Sequence, residues 1–307
     1  MPKSKICVVG AANIDLISYV PRLPAKGETL HGSRFHLGYG GKGANQAVMA
    51  AKLGAEVSMV TKLGQDVFGE GTLKNFETWG VDTQHVLFTD QAFSGVAPIA
   101  VDSDGHNYIV IVTGANDLLT EDEVEAARPA IAAAQILICQ LEIPSQINLA
   151  AMRIAREENV TTIFNPAPAV ADLPYEFYQL SDIICPNESE TELLTGKPVT
   201  TLKEAEAAAR TLLDRGAATV ILTLGERGSL LVTKDEATHV PSPTVKALDT
   251  TGAGDAFVGS LAYFLAAGKS LTNAMERANQ IAAISVQSSG TQTSFPSATD
   301  LASTLPE

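Results

Sequence analysis

Short apolar runs recur along the chain, separated by stretches in which apolar positions return every three or four residues. The runs cover 6–9, 57–61, 136–141, 161–164, 183–185, 220–224 and 229–232. Several are apolar at every position, which suits strands covered on both faces of a parallel sheet. The stretches between them carry helix punctuation. Thr120-x-x-Glu123 and Thr201-x-x-Glu204 read as capping boxes, in which the hydroxyl and the carboxylate each satisfy an orphan backbone N–H of the first turn. Leu119 and Val124 bracket the first box as a hydrophobic staple. Gly54, Gly80 and Gly216 stand where helix ends favour a left-handed residue. Pro129 predicts a break in the 120–134 pattern, since proline has no N–H and clashes with the preceding turn. This alternation predicts an α/β fold, a mostly parallel sheet with helices on both faces.

Two segments depart from the alternation. Residues 16–38 and 94–113 read as antiparallel hairpins. In the second, Val96, Ile99 and Val101 lead into Asp102-Ser103-Asp104-Gly105, and Tyr108-Ile109-Val110-Ile111-Val112 follows. An Asp-Gly turn between such runs is a strong hairpin signal. Together the two segments predict a small antiparallel β-sheet inserted into one α/β domain spanning 1–307, placed to act as a lid or as a contact between two copies.

Composition narrows the class. Hydrophobic residues make up 45% of the 307 positions, enough for a sizeable core. No apolar run approaches the roughly 20 residues that span a bilayer. The start, Met1-Pro2-Lys3-Ser4-Lys5, passes directly into Ile6–Val9 with no separate signal-peptide core, so a cytoplasmic location is expected. Cys7, Cys139 and Cys185 each lie inside an apolar run without CxxC spacing and read as small buried hydrophobes. A net charge of −14 opposes attraction to nucleic acid. It leaves room for a nucleotide, because backbone N–H groups can build a local anion site on an acidic protein. The five histidines are scattered without ligand spacing.

Five motifs can carry chemistry. Asp249-Thr250-Thr251-Gly252-Ala253-Gly254-Asp255 opens a helix whose face repeats at Phe257, Leu261, Phe264 and Leu265. Gly252, Ala253 and Gly254 place unhindered N–H groups at a helix N-terminus, where orphan donors and the macrodipole favour an anion. Asp255, in the same turn, is placed to take the proton of an acceptor hydroxyl. Complementing the dipole explains Asp255 alone, but not two glycines in a helical turn.

The second motif, Gly38-Tyr39-Gly40-Gly41-Lys42-Gly43-Ala44-Asn45-Gln46-Ala47, matches GxGxxG in form only. The apolar strand that a dinucleotide fingerprint requires is missing before it. A P-loop is excluded by His36 and Gly43, which stand where Gly and Ser or Thr belong. What remains is a glycine-rich turn opening a helix, with Lys42 and Asn45 one turn apart. Gripping a polyhydroxylated ligand and close helix–sheet packing are equally good accounts of it.

The third motif places Asn13 and Asp15 after the first strand, at the carboxyl end where open α/β sheets bind ligands. The fourth, Thr223-Leu224-Gly225-Glu226-Arg227-Gly228, is a glycine-bounded turn able to form an anion concavity or a plain hairpin. The fifth is Pro186-Asn187-Glu188-Ser189-Glu190. Asn187 and Glu190 suit a helix cap, and equally a place near Mg²⁺ and phosphates through water.

Taken together these motifs resemble the ribokinase family of phosphofructokinase-B-type carbohydrate kinases, nearly end to end. Residues 40–47 are similar to its amino-terminal signature and 249–255 to its carboxyl-terminal one, with 186–188 and 223–225 matching in order and spacing. The resemblance implies ATP-dependent phosphorylation of the 5-hydroxymethyl group of ribose, giving ribose 5-phosphate and ADP. Asp255 would be the base and Gly252, Ala253 and Gly254 the anion hole. Asn13, Ile14, Asp15, Gly41, Lys42, Gly43, Ala44, Asn45 and Glu142 would meet the sugar. Asn187, Thr223, Leu224, Gly225, Glu226, Arg227, Gly228, Gly254 and Asn279 would meet ATP. Mg²⁺ would ride with the nucleotide near Asn187 and Glu190. An activating monovalent cation, K⁺, would sit at Asp249, Thr251, Ser285, Ser288, Gly290 and Ser294. The hairpins would form a lid that pairs two subunits. Rival readings are a kinase for deoxyribose or a nucleoside, a sugar-binding regulator without catalysis, and a dinucleotide oxidoreductase. A base beside an anion hole argues against the regulator, and the missing strand before Gly38 argues against the oxidoreductase.

Overall fold

A computed structural model describes residues 4–103 and 106–301, so the chain start Met1–Lys3 and the turn pair Asp104 and Gly105 lie outside the described residues. Its strands are β1 (Lys5–Val9), β2 (Asn13–Tyr19), β3 (Arg34–Gly40), β4 (Glu56–Gly64), β5 (Asp82–Thr89), β6 (Gly95–Val101), β7 (Asn107–Ile109), β8 (Ile136–Cys139), β9 (Thr161–Phe164), β10 (Ile183–Ile184), β11 (Thr219–Thr223), β12 (Ser229–Val232) and β13 (Ala237–Val240). The helices are α1 (Lys42–Lys52), α2 (Val67–Thr78), α3 (Glu121–Ala126), α4 (Arg128–Ala133), α5 (Ser145–Glu157), α6 (Tyr175–Leu180), α7 (Glu188–Thr195), α8 (Leu202–Asp214), α9 (Ala253–Ala266), α10 (Leu271–Ser285) and α11 (Ala298–Leu301).

Nine strands form one sheet in the order β13-β12-β11-β10-β9-β8-β1-β4-β5. From β5 to β11 every pairing is parallel, and β12 and β13 close one edge antiparallel. Alternation along β1 sends Ile6 and Val8 into the core under α1, α9 and α10, and Cys7 and Val9 into the core under α4, α5 and α8. The all-apolar runs are therefore covered on both faces, as their sequence requires. Strand order turns back at β1, which has β4 on one side and β8 on the other. A crevice at the carboxyl ends follows from that reversal.

The helix signals hold. Both capping boxes form, at Thr120–Glu123 and Thr201–Glu204. Leu119 and Val124 are both buried in one core cluster. Pro129 falls at the start of α4, directly after α3 ends. Gly54, Gly80 and Gly216 all have positive φ. The three cysteines are free and buried.

The small sheet runs β3-β2-β6-β7. Each predicted hairpin is antiparallel, β2 with β3 and β6 with β7, and the two are joined through a parallel β2–β6 pair because their first strands lie side by side. β2 begins at Asn13, earlier than expected. The chain leaves β1 directly into this sheet, so Asn13 and Asp15 stand on a lid strand and not in a connection ahead of the lid. Among the described residues no helix is long and apolar enough to cross a membrane.

Candidate active site

Two clusters meet at the first turn of α9. On one side lies a cavity of about 810 Å³. Asn187, Thr223, Gly225, Glu226, Arg227, Gly228, Gly254 and Asn279, all anticipated, line it. Leu224 does not, because its side chain is buried in the core at 1% exposure. Arg227 lines the wall, but its guanidinium is engaged within the protein. It pairs with Glu188 and donates to the carbonyls of Thr200 at 2.8 Å and Val199 at 3.3 Å. The amide of Asn279 donates to Ser229 Oγ and to the carbonyl of Val240, tying β12 and β13 to α10. The rest of the wall was not anticipated. It is Glu188 and Ser189 at the head of α7, the irregular segment 242–245 with Ala247, and Thr250, Phe257, Ala282, Ala283 and Val286.

Gly252 caps α9 at φ 78°, a left-handed conformation that suits glycine, and a Cβ there would approach Thr291 to 2.5 Å. Gly254 is different. A Cβ on it would meet nothing within 4 Å, and the space it would enter belongs to the cavity. Protein packing therefore does not require this glycine. Of the anticipated N–H donors, that of Ala253 already reaches Thr250 O at 3.2 Å, so the turn itself uses part of the anion hole.

On the other side charged groups interlock. Asp255 is 6% exposed; its two oxygens accept from Asn45 Nδ2 at 2.8 Å and Gln46 Nε2 at 2.9 Å. Glu142 accepts the backbone N–H of Lys42 at 2.7 Å, supplying from another segment the cap that α1 lacks at Gly41. Asp15 folds across β3, where a Cβ on Gly40 would come within 2.5 Å of its carboxylate. Burial, then Glu142 and Asp255, push the Asp15 pKa up to about 7. Burial also raises Glu142 and Glu190. Burial works against the Lys42 ammonium, but Asp255, Glu142 and Glu190 outweigh it and hold its pKa above the ordinary value.

Other anticipated sugar-side residues are tightly packed within the protein. Ile14 is 1% exposed on the face of β2 opposite Asn13 and Asp15, and Ala44 is in the core, so neither side chain reaches the cluster. Gly41, at φ 86°, and Gly43 pack directly on the β1–β2 corner, where a Cβ would meet backbone at 2.8 Å. Close packing thus explains these two glycines. Lys42 and Asn45 carry the polar chemistry.

Asn187 and Glu190 form a reciprocal capping box at the head of α7. Among the described residues no group of three or more His, Cys, Asp or Glu could hold a metal ion. Asp249 accepts from the N–H of Thr251 and of Gly290, both at 2.9 Å, and so joins the loop before α9 to the loop after α10. The hydroxyls of Ser285 and Ser294 donate to the carbonyls of Ala282 and Thr291.

Four buried amides were missed. Gln46, Gln140 and Asn165 stand behind Asp255. Asn116 clamps the lid root, bonding Ala12 N–H and Asn13 Oδ1. Gln140 and Asn165 directly follow β8 and β9, and a polar residue closing an apolar strand at the carboxyl edge is a usable signal.

This arrangement, an open anion site facing a cavity with a buried carboxylate behind it, is that of a group-transfer enzyme acting between two ligands. The chain belongs to the pfkB family of carbohydrate kinases, whose model matches residues 3–298. It is 47% identical to a mouse ribokinase, over 96% of this chain and 93% of that one. It is 42% identical to a deoxyribokinase of Salmonella typhimurium, over 95% of each. A structure of Arabidopsis thaliana ribokinase complexed with ribose and ATP superposes with a TM-score of 0.91 at 31% identity, covering 98% of both chains.

Proposed function

We propose that this protein transfers the γ-phosphoryl group of ATP to the 5-hydroxymethyl group of ribose, releasing ribose 5-phosphate and ADP. One observation carries the reading: Gly254, whose missing side chain leaves open space in the cavity wall, is followed directly by the buried carboxylate Asp255. A mid-turn glycine costs helix stability relative to alanine. Close approach of a ligand's phosphates to backbone N–H groups accounts for it.

ATP fits the 810 Å³ cavity, with its phosphates toward Gly252–Gly254 and its base between the 242–247 segment and the apolar face of α10. The sugar fits the carboxylate cluster. Asp15 accepts two ring hydroxyls, Lys42 and Asn45 donate, and Asp255 takes the proton of the 5-hydroxyl as the phosphoryl group arrives. In a loose transition state charge spreads over the transferring oxygens, so positioning and N–H donors do most of the work.

Mg²⁺ would ride with the phosphates, held from the protein side through water at Asn187 and Glu190, and would neutralise charge between the β- and γ-phosphates. Asp249 joins two loops that carry Thr251 and Gly290, and with oxygens of Ser285, Ser288 and Ser294 these would offer a monovalent cation such as K⁺ an oxygen-only site that stiffens the loop before α9.

The protein is assigned to the cytoplasm, where its three free thiols stay reduced. The lid exposes Phe35 and Leu37 on β3 and Tyr108, Ile109, Val110 and Val112 on and after β7, apolar positions suited to contact with a second copy. Deoxyribose is the second reading, favoured by the deoxyribokinase relative. An ADP-release assay across pentoses, hexoses and nucleosides tests both. Ribose should give the highest kcat/KM, and a higher value for deoxyribose or a nucleoside would replace the assignment.

A further inference from the structure

Behind Asp255 lies an amide chain that the reaction as described does not use. Gln46 is fully buried on α1, and its Nε2 donates to Asp255 Oδ1 at 2.9 Å and to Asn165 Oδ1 at 3.1 Å. Its Oε1 accepts from Gln140 Nε2 at 2.7 Å. Asn165 in turn donates to the carbonyl of Cys185 at 2.8 Å.

The polarity of this chain is forced. An ionised carboxylate only accepts, so the Gln46 amide must turn its NH₂ toward α9. Its oxygen then needs a donor, so Gln140 must present its own NH₂. Gln140 Oε1 is left buried without a partner, wedged toward Gly10, where a Cβ would come within 2.1 Å of it. A buried orphan acceptor is destabilising and calls for a reason. Turning the Gln140 amide would set oxygen against oxygen at Gln46, so the orphan follows from keeping the donor aimed at Asp255. The helix pair is built for the same contact. α9 comes so near α1 at Gly259 that a Cβ there would lie 2.6 Å from Gln46 O.

A second chain reaches the other oxygen, from Asn75 through Gln292 to Asn45. It runs through a ligand-facing residue, whereas the Gln46 chain is wholly interior.

We propose that Gln46 is a positioning residue for Asp255. It locks Oδ1 in place so that Oδ2 faces the acceptor hydroxyl, and Gln140 holds the Gln46 amide the required way round. The inference rests on Asp255 being the base of the proposed reaction.

The test compares Gln46→Met, Gln46→Glu, Gln140→Met and Asp255→Asn, reading kcat in the coupled assay and ribose Kd by calorimetry. Gln46→Met should lower kcat about 10- to 100-fold, the scale of a misplaced reacting group, with ribose Kd changed less than about three-fold. Gln140→Met should give a smaller loss of the same kind. Gln46→Glu keeps the acceptor for Gln140 but sets a second carboxyl against Asp255, among Asp15, Lys42, Glu142 and Glu190. It regains a donor only when the pair binds a proton, so its kcat should recover as pH falls, opposite to the parent protein. Should Gln46→Met not fold, Gln46→Glu decides: recovery on acidification supports the role, and a profile parallel to the parent overturns it. For folded Gln46→Met, a kcat within two-fold of the parent, or equal losses in kcat and affinity, overturns it. If Asp255→Asn keeps its kcat, the base assignment itself fails. If Asp255→Asn is inactive while Gln46→Met is not, only the positioning role fails.

Discussion

The nucleotide side and the sugar side of the α9 turn are built from different materials. The cavity wall is mostly small residues and irregular backbone with a few polar side chains, and the guanidinium of the one cation on it, Arg227, is paired with Glu188 of the same wall. The sugar side is carboxylates, a lysine and amides, with Glu142 on the Lys42 N–H and Asn45 and Gln46 on the Asp255 oxygens. A triphosphate carries charge enough to be gripped by oriented N–H groups, which need no side chain. A neutral sugar offers only hydroxyls, and discrimination among hydroxyls needs buried acceptors that are costly to leave unpaired. The two sides should therefore fail in different ways when altered.

The largest failure is expected at the junction. Asp255→Asn keeps the shape and both ligand sites but cannot take the proton. We expect kcat to fall about 10²–10⁴-fold, with ATP and ribose Kd little changed in calorimetry. A kcat near that of the parent would remove Asp255 from the chemistry and leave two binding sites with no reaction between them.

Gly254→Ala tests the backbone side. Nothing in the protein blocks the methyl, and alanine suits a helical position by roughly 0.5–1 kcal/mol. The variant should therefore gain stability in denaturant titration while kcat/KM for ATP drops roughly 10-fold, about 1.4 kcal/mol of lost phosphate contact. Stability gained with no loss toward ATP would mean that phosphates do not approach this turn.

How much of this was legible without coordinates follows the same division. Asp255, Lys42, Asn45 and Asp15 could be singled out because their chemistry is in their side chains, whereas Glu142 entered through the family resemblance. The 242–247 wall could not, since its contribution is shape and main chain. The α/β core was readable because β1, β8 and β9 are buried on both faces and so apolar at every position. β5 and β13 were missed because they lie at the sheet edges, where half-exposed positions interrupt the apolar run. Asn13 and Asp15 were placed after the first strand and ahead of the lid because no local signal says that the chain leaves β1 directly into a lid strand. Gln46 was quoted within a signature yet given no role, since only the packing of α1 on α9 brings it to Asp255.

Proton linkage tests the sugar side more gently. In the proposed reaction Asp15 would bind hydroxyls as a carboxylate, and its pKa stands at about 7 in the sugar-free protein, raised first by burial and then by Glu142 and Asp255. Sugar binding must expel the proton below that pH. KM for ribose should therefore fall as pH rises toward 7 and level off above it, by up to about ten-fold per pH unit on the acid side. The stability sign is the reverse. A folded-state pKa above the unfolded value of about 4 favours the folded chain at low pH, and that contribution is lost as pH rises through 7. Ribose should thus raise Tm more at pH 8 than at pH 5, and Asp15→Asn should flatten the KM profile. A flat profile in the parent protein would show that Asp15 does not bind the sugar as the titrating group. If Asp15 reads two hydroxyls, the same substitution should also narrow the ribose-to-deoxyribose ratio of kcat/KM.

The smallest effect is expected at Arg227, and it is the sharpest statement about the nucleotide side. A positive side chain in the wall of a proposed ATP site invites assignment as a phosphate ligand. Its guanidinium is instead spent on Glu188 and on the carbonyls of Thr200 and Val199, which pins the start of α7 to the loop before α8. Both partners of the ion pair are about one-third exposed, at 33% and 40%, so solvent screens them. Such a pair contributes about 0.2–1 kcal/mol. Arg227→Ala should therefore cost no more than about 1 kcal/mol in denaturant titration and change KM for ATP by less than about three-fold, with no new dependence on ionic strength. A phosphate ligand would behave otherwise. Removing a charge-assisted contact worth about 1.5–3 kcal/mol would raise KM for ATP by more than ten-fold. A rise of that size, measured at fixed Mg²⁺, would mean that Arg227 swings from Glu188 onto the nucleotide when it binds, and the nucleotide side would then rely on a side chain after all.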